Sequence, residues 1–171
     1  ISEPNLNDFN QVIRMRKSNY IFNETNKVLG SLNTRLYDDY INSEEFIKFF
    51  IIQEITKNVD VNFSSVYLYK KENERMMIGP LWDFDISMGN GDYYPYQAQG
   101  FWATGNFMLS NLLTNSDFKQ NYIKTMRDFI FEYKDDIINE LLKMEELIKE
   151  SAINNFNRWP ILNTYYWPNT E

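Results

Sequence analysis

The chain predicts an α+β fold, mainly helical, with one small antiparallel hairpin sheet. Three observations carry this. Apolar residues recur at helical spacing through most of the first 60 residues and again from Phe107 to Phe156. Between these halves the strand-rich run Val66-Tyr67-Leu68-Tyr69, the polar Lys70-Lys71-Glu72-Asn73-Glu74 and the returning Arg75-Met76-Met77-Ile78 spell a hairpin. Finally, 171 residues with 43% hydrophobic and 17% aromatic side chains are enough to bury one sizeable core, so a single domain over 1–171 is expected.

The elements follow in order. A helix over roughly residues 5–17 places Leu6, Phe9, Val12 and Ile13 three to four apart. A second is expected from about 21 to 37, weakened by Gly30 and its asparagines. The third is the clearest, because Asn42 caps it, Glu45 completes a capping box, and Phe46 to Ile55 make it apolar on most sides. It ends near Lys57-Asn58, which delivers Asp60 from a buried support into a loop. After the hairpin, Gly79-Pro80 kinks the path and Leu81 to Asp85 is read as extended. Residues 89–106 form a long loop with five aromatics (Tyr93, Tyr94, Tyr96, Phe101 and Trp102) among glycines, which suits binding or simply anchors the loop. Phe107 to Leu113 is a short helix. Asn115 or Ser116 caps a longer one carrying Phe118, Tyr122, Met126, Phe129 and Tyr133, and Ile137 to Phe156 continues a last one. Both stripes read as core packing, and Trp159-Pro160 stops the series. The tail, with Tyr165, Tyr166 and Trp167, is expected to pack back.

Composition removes much chemistry. The chain has no Cys and no His, which excludes disulfides, thiol nucleophiles, Cys/His zinc sites and imidazole bases. Acid–base work falls to Asp, Glu, Lys or Tyr, and any metal is a hard one held by oxygen. A net charge of −7 argues against nucleic acid as a partner. No apolar run is long enough to span a membrane, and no signal peptide is visible. The start at Ile1 rather than Met is expected of a processed product or a piece of something longer, from which a targeting segment is lost. Absence of Cys suits an exported protein and a cytosolic one alike.

The informative stretch is Gly79-Pro80-Leu81-Trp82-Asp83-Phe84-Asp85-Ile86-Ser87-Met88-Gly89-Asn90. On a strand, Asp83 and Asp85 would share one face about 6–7 Å apart, a repulsion that a divalent cation, a shared proton or hydrogen bonds would relieve. Asp60 is a third acid upstream. Four readings stand: turn-capping aspartates, a glycosidase acid/base pair beside a sugar-stacking loop, a structural Ca²⁺ site, and phosphoryl transfer. The last needs neither His nor Cys. Its aspartates come in the order found here, base first and a metal ligand after a short hairpin.

The runs Phe46 to Asp60, Ser64-Ser65-Val66-Tyr67-Leu68-Tyr69-Lys70 and Gly79-Pro80-Leu81-Trp82-Asp83-Phe84-Asp85 with Gly89-Asn90, together with Asn157-Arg158-Trp159, resemble the CotH family of spore coat and surface-associated proteins. The resemblance covers nearly all of the chain, corresponding to the C-terminal part of a typical member. It implies the C-terminal-lobe-like portion of an atypical protein kinase fold, with ATP and Mg²⁺ or Mn²⁺ as cofactors. The implied partners are a protein substrate with Ser or Thr and the same protein's upstream N-terminal lobe, which carries the phosphate-covering loop and strand lysine. It implies a spore coat, cell-surface or secreted location. Asp60 becomes the catalytic base and Asn58 its brace. Asp83 becomes the metal ligand, with Asp85 a second metal or outer ligand. Where relatives carry an Asn after the loop aspartate, this chain has Ser64 and Ser65, cofactor-side positions with a weaker ligand than an amide oxygen. Without the other lobe, residues 1–171 are expected neither to bind ATP tightly nor to turn over. The rival is a non-catalytic surface or glycan-binding module using Trp102 and the tyrosines.

Overall fold

The computed structural model describes residues 9–91 and 97–167, with side chains from Ile13 onward. The mainly helical α+β architecture is as expected. Helix α1 (Phe9–Ser31) leads through a short turn to α2 (Tyr37–Tyr40), then α3 (Ser43–Ile55) and a 3₁₀ turn (Val59–Asn62). Strands β1 (Leu68–Tyr69) and β2 (Met77–Ile78) follow, then a second 3₁₀ turn (Ala103–Gly105), α4 (Phe107–Leu112) and the long α5 (Ser116–Arg158). The strands pair antiparallel, Leu68 with Ile78 and Tyr69 with Met77.

Helix α3 is the hub. Asn42 accepts from the Glu45 amide at 3.3 Å, as the capping pattern requires. Phe46, Phe49, Phe50 and Ile51 are all buried, and against them pack Leu109 and Leu112 of α4, Phe118 and Tyr122 of α5 and Ile78 of the hairpin. An edge-to-face contact joins Phe49 to Phe50 with ring centroids 5.4 Å apart, and Tyr37 meets Phe118 similarly at 5.6 Å. The return strand is tied to the head of α3: Met76 donates to Tyr40 O at 2.7 Å and receives from the Asn42 amide at 2.9 Å.

Three expectations are corrected. The two N-terminal helices are one, since α1 runs through to Ser31; Gly30 sits at its last turn, where a weak helix former does little harm. (Leu6 lies outside the described residues.) Leu81 to Asp85 is not strand: Asp83 has φ 63°, so the two-residue spacing does not put Asp83 and Asp85 on one strand face. Lastly, the C-terminal stripes form one unbroken helix of 43 residues whose distal half is not core: Ile138, Leu141, Leu142, Met144 and Ile148 are all exposed. Helical periodicity shows which side of a helix is apolar, not whether anything covers it.

Candidate active site

Asp60 sits in the 3₁₀ turn that follows α3. Thr56 ends the helix, Lys57 takes a left-handed φ of 50°, and Asn58 caps the next turn by accepting the Asp60 amide at 3.1 Å. The Asp60 carbonyl then receives the amides of Phe63 and Ser64, each at 2.8 Å. Val59 and Val61 point into the body and are buried, which leaves Asp60 half-buried at the rim.

The Gly-Pro-Leu-Trp-Asp-Phe-Asp segment is laced onto that turn. Buried Asn58 donates through Nδ2 to the Asp83 carbonyl at 3.0 Å. The Val59 amide donates to Ile86 O at 3.0 Å, and Met88 N to Thr56 O at 2.6 Å. Ser65 Oγ donates to Asp83 Oδ2 at 2.7 Å, while Trp82 Nε1 donates to Ser65 O at 2.9 Å. Ser64 and Ser65 hydroxyls lie 3.3 Å apart. Asp85 is exposed, and its Oδ1 accepts its neighbour's amide, Ile86 N, at 3.0 Å. So Asp60, Asn58, Ser64, Ser65, Asp83 and Asp85 all belong to one loop cluster. Four left-handed non-glycine residues lie in it or at its edge: Lys57, Ser65, Asp83 and Met88, with φ of 50°, 59°, 63° and 52°. Each such residue costs about 1–2 kcal/mol of backbone strain, and strain of this kind concentrates at functional sites.

The three carboxylates repel one another. Burial first, and then the charges of Asp83 and Asp85, push the Asp60 carboxyl above the usual carboxylate range. Among the described residues no Lys or Arg pairs with any of the three. The acids do not make a closed cage, for no group of three or more acidic side chains among the described residues is arranged to hold an ion.

Sequence reasoning missed the clamp behind this turn. Glu54, 3% exposed, accepts the Trp102 amide at 2.9 and 3.0 Å and the Ala103 amide at 2.7 Å. Lys57 lies 3.6 Å from Glu54 and donates to the carbonyls of Gln99 and Gly100. Trp102 returns the contact, its Nε1 donating to Val59 O at 3.1 Å, and its carbonyl receives Asn62 Nδ2 at 2.9 Å. A Cβ at Gly105 would stand 2.9 Å from Asn62 Nδ2, so a side chain there would displace the Asn62 amide that bonds Trp102 O. The available signal was a lone acid among the apolar residues of α3. Trp102 therefore holds the loop to the turn rather than offering a free sugar platform; Tyr93, Tyr94 and Tyr96 lie outside the described residues.

A family model for CotH kinase protein matches residues 15–170, and the chain belongs to that family. No curated protein and no solved structure matches it.

Proposed function

We propose that this cluster serves phosphoryl transfer from ATP to a Ser or Thr hydroxyl of a protein substrate in the intact parent. The observation that carries the reading is the unneutralised trio Asp60, Asp83 and Asp85 on a strained, cross-bonded pair of loops. Asp60 is the base: a carboxylate raised above its usual range accepts a hydroxyl proton more readily. Asn58 positions it by fixing the turn on one side and the Asp83 backbone on the other. Asp83, with Asp85 beside it, would hold Mg²⁺ or Mn²⁺, which supplies charge neutralisation on the nucleotide phosphates. Ser65 orients the Asp83 carboxylate, with Ser64 next to it on the cofactor side. The described residues ahead of Asp60 are helical and include no strand, so no strand lysine of this segment reaches the phosphates. The chain alone is therefore expected to bind Mg-ATP more weakly than micromolar, as titration calorimetry would read. A spore coat, cell-surface or secreted setting belongs to the same proposal and rests on family membership.

The test is radiolabelled phosphate transfer by the full-length parent, comparing wild type with Asp60→Ala and Asp83→Ala. Loss of labelling in both variants is expected. Equal labelling in all three removes the mechanism and leaves a surface module.

A further inference from the structure

The first half of α5 and the loop at Phe101 and Thr104 enclose an open apolar groove of about 960 Å³, lined also by Ile123, Met126 and Ile130. Lys119, Arg127 and Lys134 stand along it, with Asp135 beside Lys134, in a chain whose net charge is −7. The same stripe of α5 runs on beyond the groove as Ile138, Leu141, Met144 and Ile148, each 45–57% exposed. Most lysines of α5 find local acids: Lys124 with Asp128, Lys134 with Asp135, Lys143 with Glu140 and Lys149 with Glu146. Arg127 and Glu145 have no partner among the described residues. They lie eighteen residues apart, about five whole turns at 3.6 residues per turn, so they share one azimuth roughly 27 Å apart along the axis.

We propose that α5 is a dimerisation helix whose occupant is a second copy of this chain, packed antiparallel along this stripe. A two-fold axis beside Ile137 sets Arg127 of each copy against Glu145 of the other, so one contact is made twice. The same register brings Ile130 within one residue of Leu141 and Ile123 within one residue of Ile148, and it fills each groove with the distal half of the other helix. Both requirements come from one stripe: an apolar groove with the unpaired Arg127 at its edge, and an apolar ridge carrying the unpaired Glu145 at the matching distance. A strip roughly 45 Å long and about 10 Å wide covers on the order of 500 Å² per copy, at the lower limit for specific association. The dimer is therefore expected to be weak, forming at tens of micromolar.

Sedimentation equilibrium of the 20.6 kDa chain from 5 to 300 µM tests this, with wild type and three variants. Wild type is expected to dimerise, while Arg127→Glu and Glu145→Arg each weaken association tenfold or more. The double variant Arg127→Glu/Glu145→Arg is expected to recover it to within about threefold. Because the chain has no cysteine, Ile137→Cys gives an independent reading: oxidation should trap a disulfide-linked dimer in wild-type background but not with Arg127→Glu. A wild type that stays monomeric at 300 µM overturns the proposal. So does a dimer indifferent to both charge reversals, and so does a double variant that fails to recover while remaining folded by circular dichroism.

Discussion

Helix α3 and the distal half of α5 are both rich in isoleucine, yet one is sealed and the other bare. Phe46 and Phe50 of α3 are 0% exposed, whereas Leu142 and Leu147 of α5 are 58% and 72% exposed. The difference is one of connection. Helix α3 is apolar on most sides, is enclosed by the hairpin, α4 and the start of α5, and its C-terminal end carries the acidic turn. The far half of α5 has one apolar stripe and has left the body behind. Stability and the site's geometry therefore reside in the first region, and the second is free to serve association.

The largest effect that tests this contrast is in the core. Phe50→Ala should cost about 3–5 kcal/mol, lowering Tm by on the order of 10 °C for a chain of this size. Leu147→Ala, off the α5 stripe, should stay within about 0.5 kcal/mol of wild type. Thermal unfolding at a few micromolar reads both, and equal losses would break the contrast. Next comes Glu54→Ala, expected to cost about 2–4 kcal/mol because the Trp102 and Ala103 amides lose their acceptor in a buried site. Proteolysis within residues 97–105 should quicken in that variant, with Glu54→Gln intermediate.

Asn58→Ala is smaller in stability and larger in chemistry. It removes a cap and the bond to Asp83 O, together about 1–2 kcal/mol. Phosphate transfer by the parent should fall at least tenfold at a temperature where the variant is still folded. A variant that unfolds no sooner and labels as well as wild type would show that the two loops do not depend on this bridge.

What could be read ahead of the structure follows the same division. Helix α3, its Asn42 cap, the hairpin and the acidic run were legible because each rests on local rules: periodicity, capping and turn chemistry. The strand assigned to Leu81–Asp85 failed because Asp83 adopts a left-handed backbone held by Asn58 and Ser65, bonds that span long sequence separations. Glu54 was hidden for a similar reason. Its partners, the amides of Trp102 and Ala103, are backbone groups that no residue pattern marks. The distal half of α5 was misread as core because its stripe has the right period and lacks only a covering surface.

The smallest effect is electrostatic and has an unusual sign. Asp60 has a native pKa above its unfolded one, so the native state holds its proton more tightly than the unfolded state. Its contribution to stability is favourable at pH below the ordinary carboxylate range and is lost as pH rises through the native value. At neutral pH the ionised group therefore destabilises the fold slightly, against Asp83 and Asp85. Asp60→Asn should accordingly stabilise the chain at pH 7 by a few tenths of a kcal/mol, while abolishing transfer by the parent. The gain should vanish near pH 3, where the wild-type group is protonated. Millimolar Mg²⁺ should raise the Tm of wild type more than that of Asp60→Asn, since a bound cation relieves the same repulsion. Unfolding curves at pH 3 and 7, with and without Mg²⁺, measure this. A variant less stable than wild type at pH 7 would mean that Asp60 is held by a favourable partner, and the acid cluster would then be a structural brace.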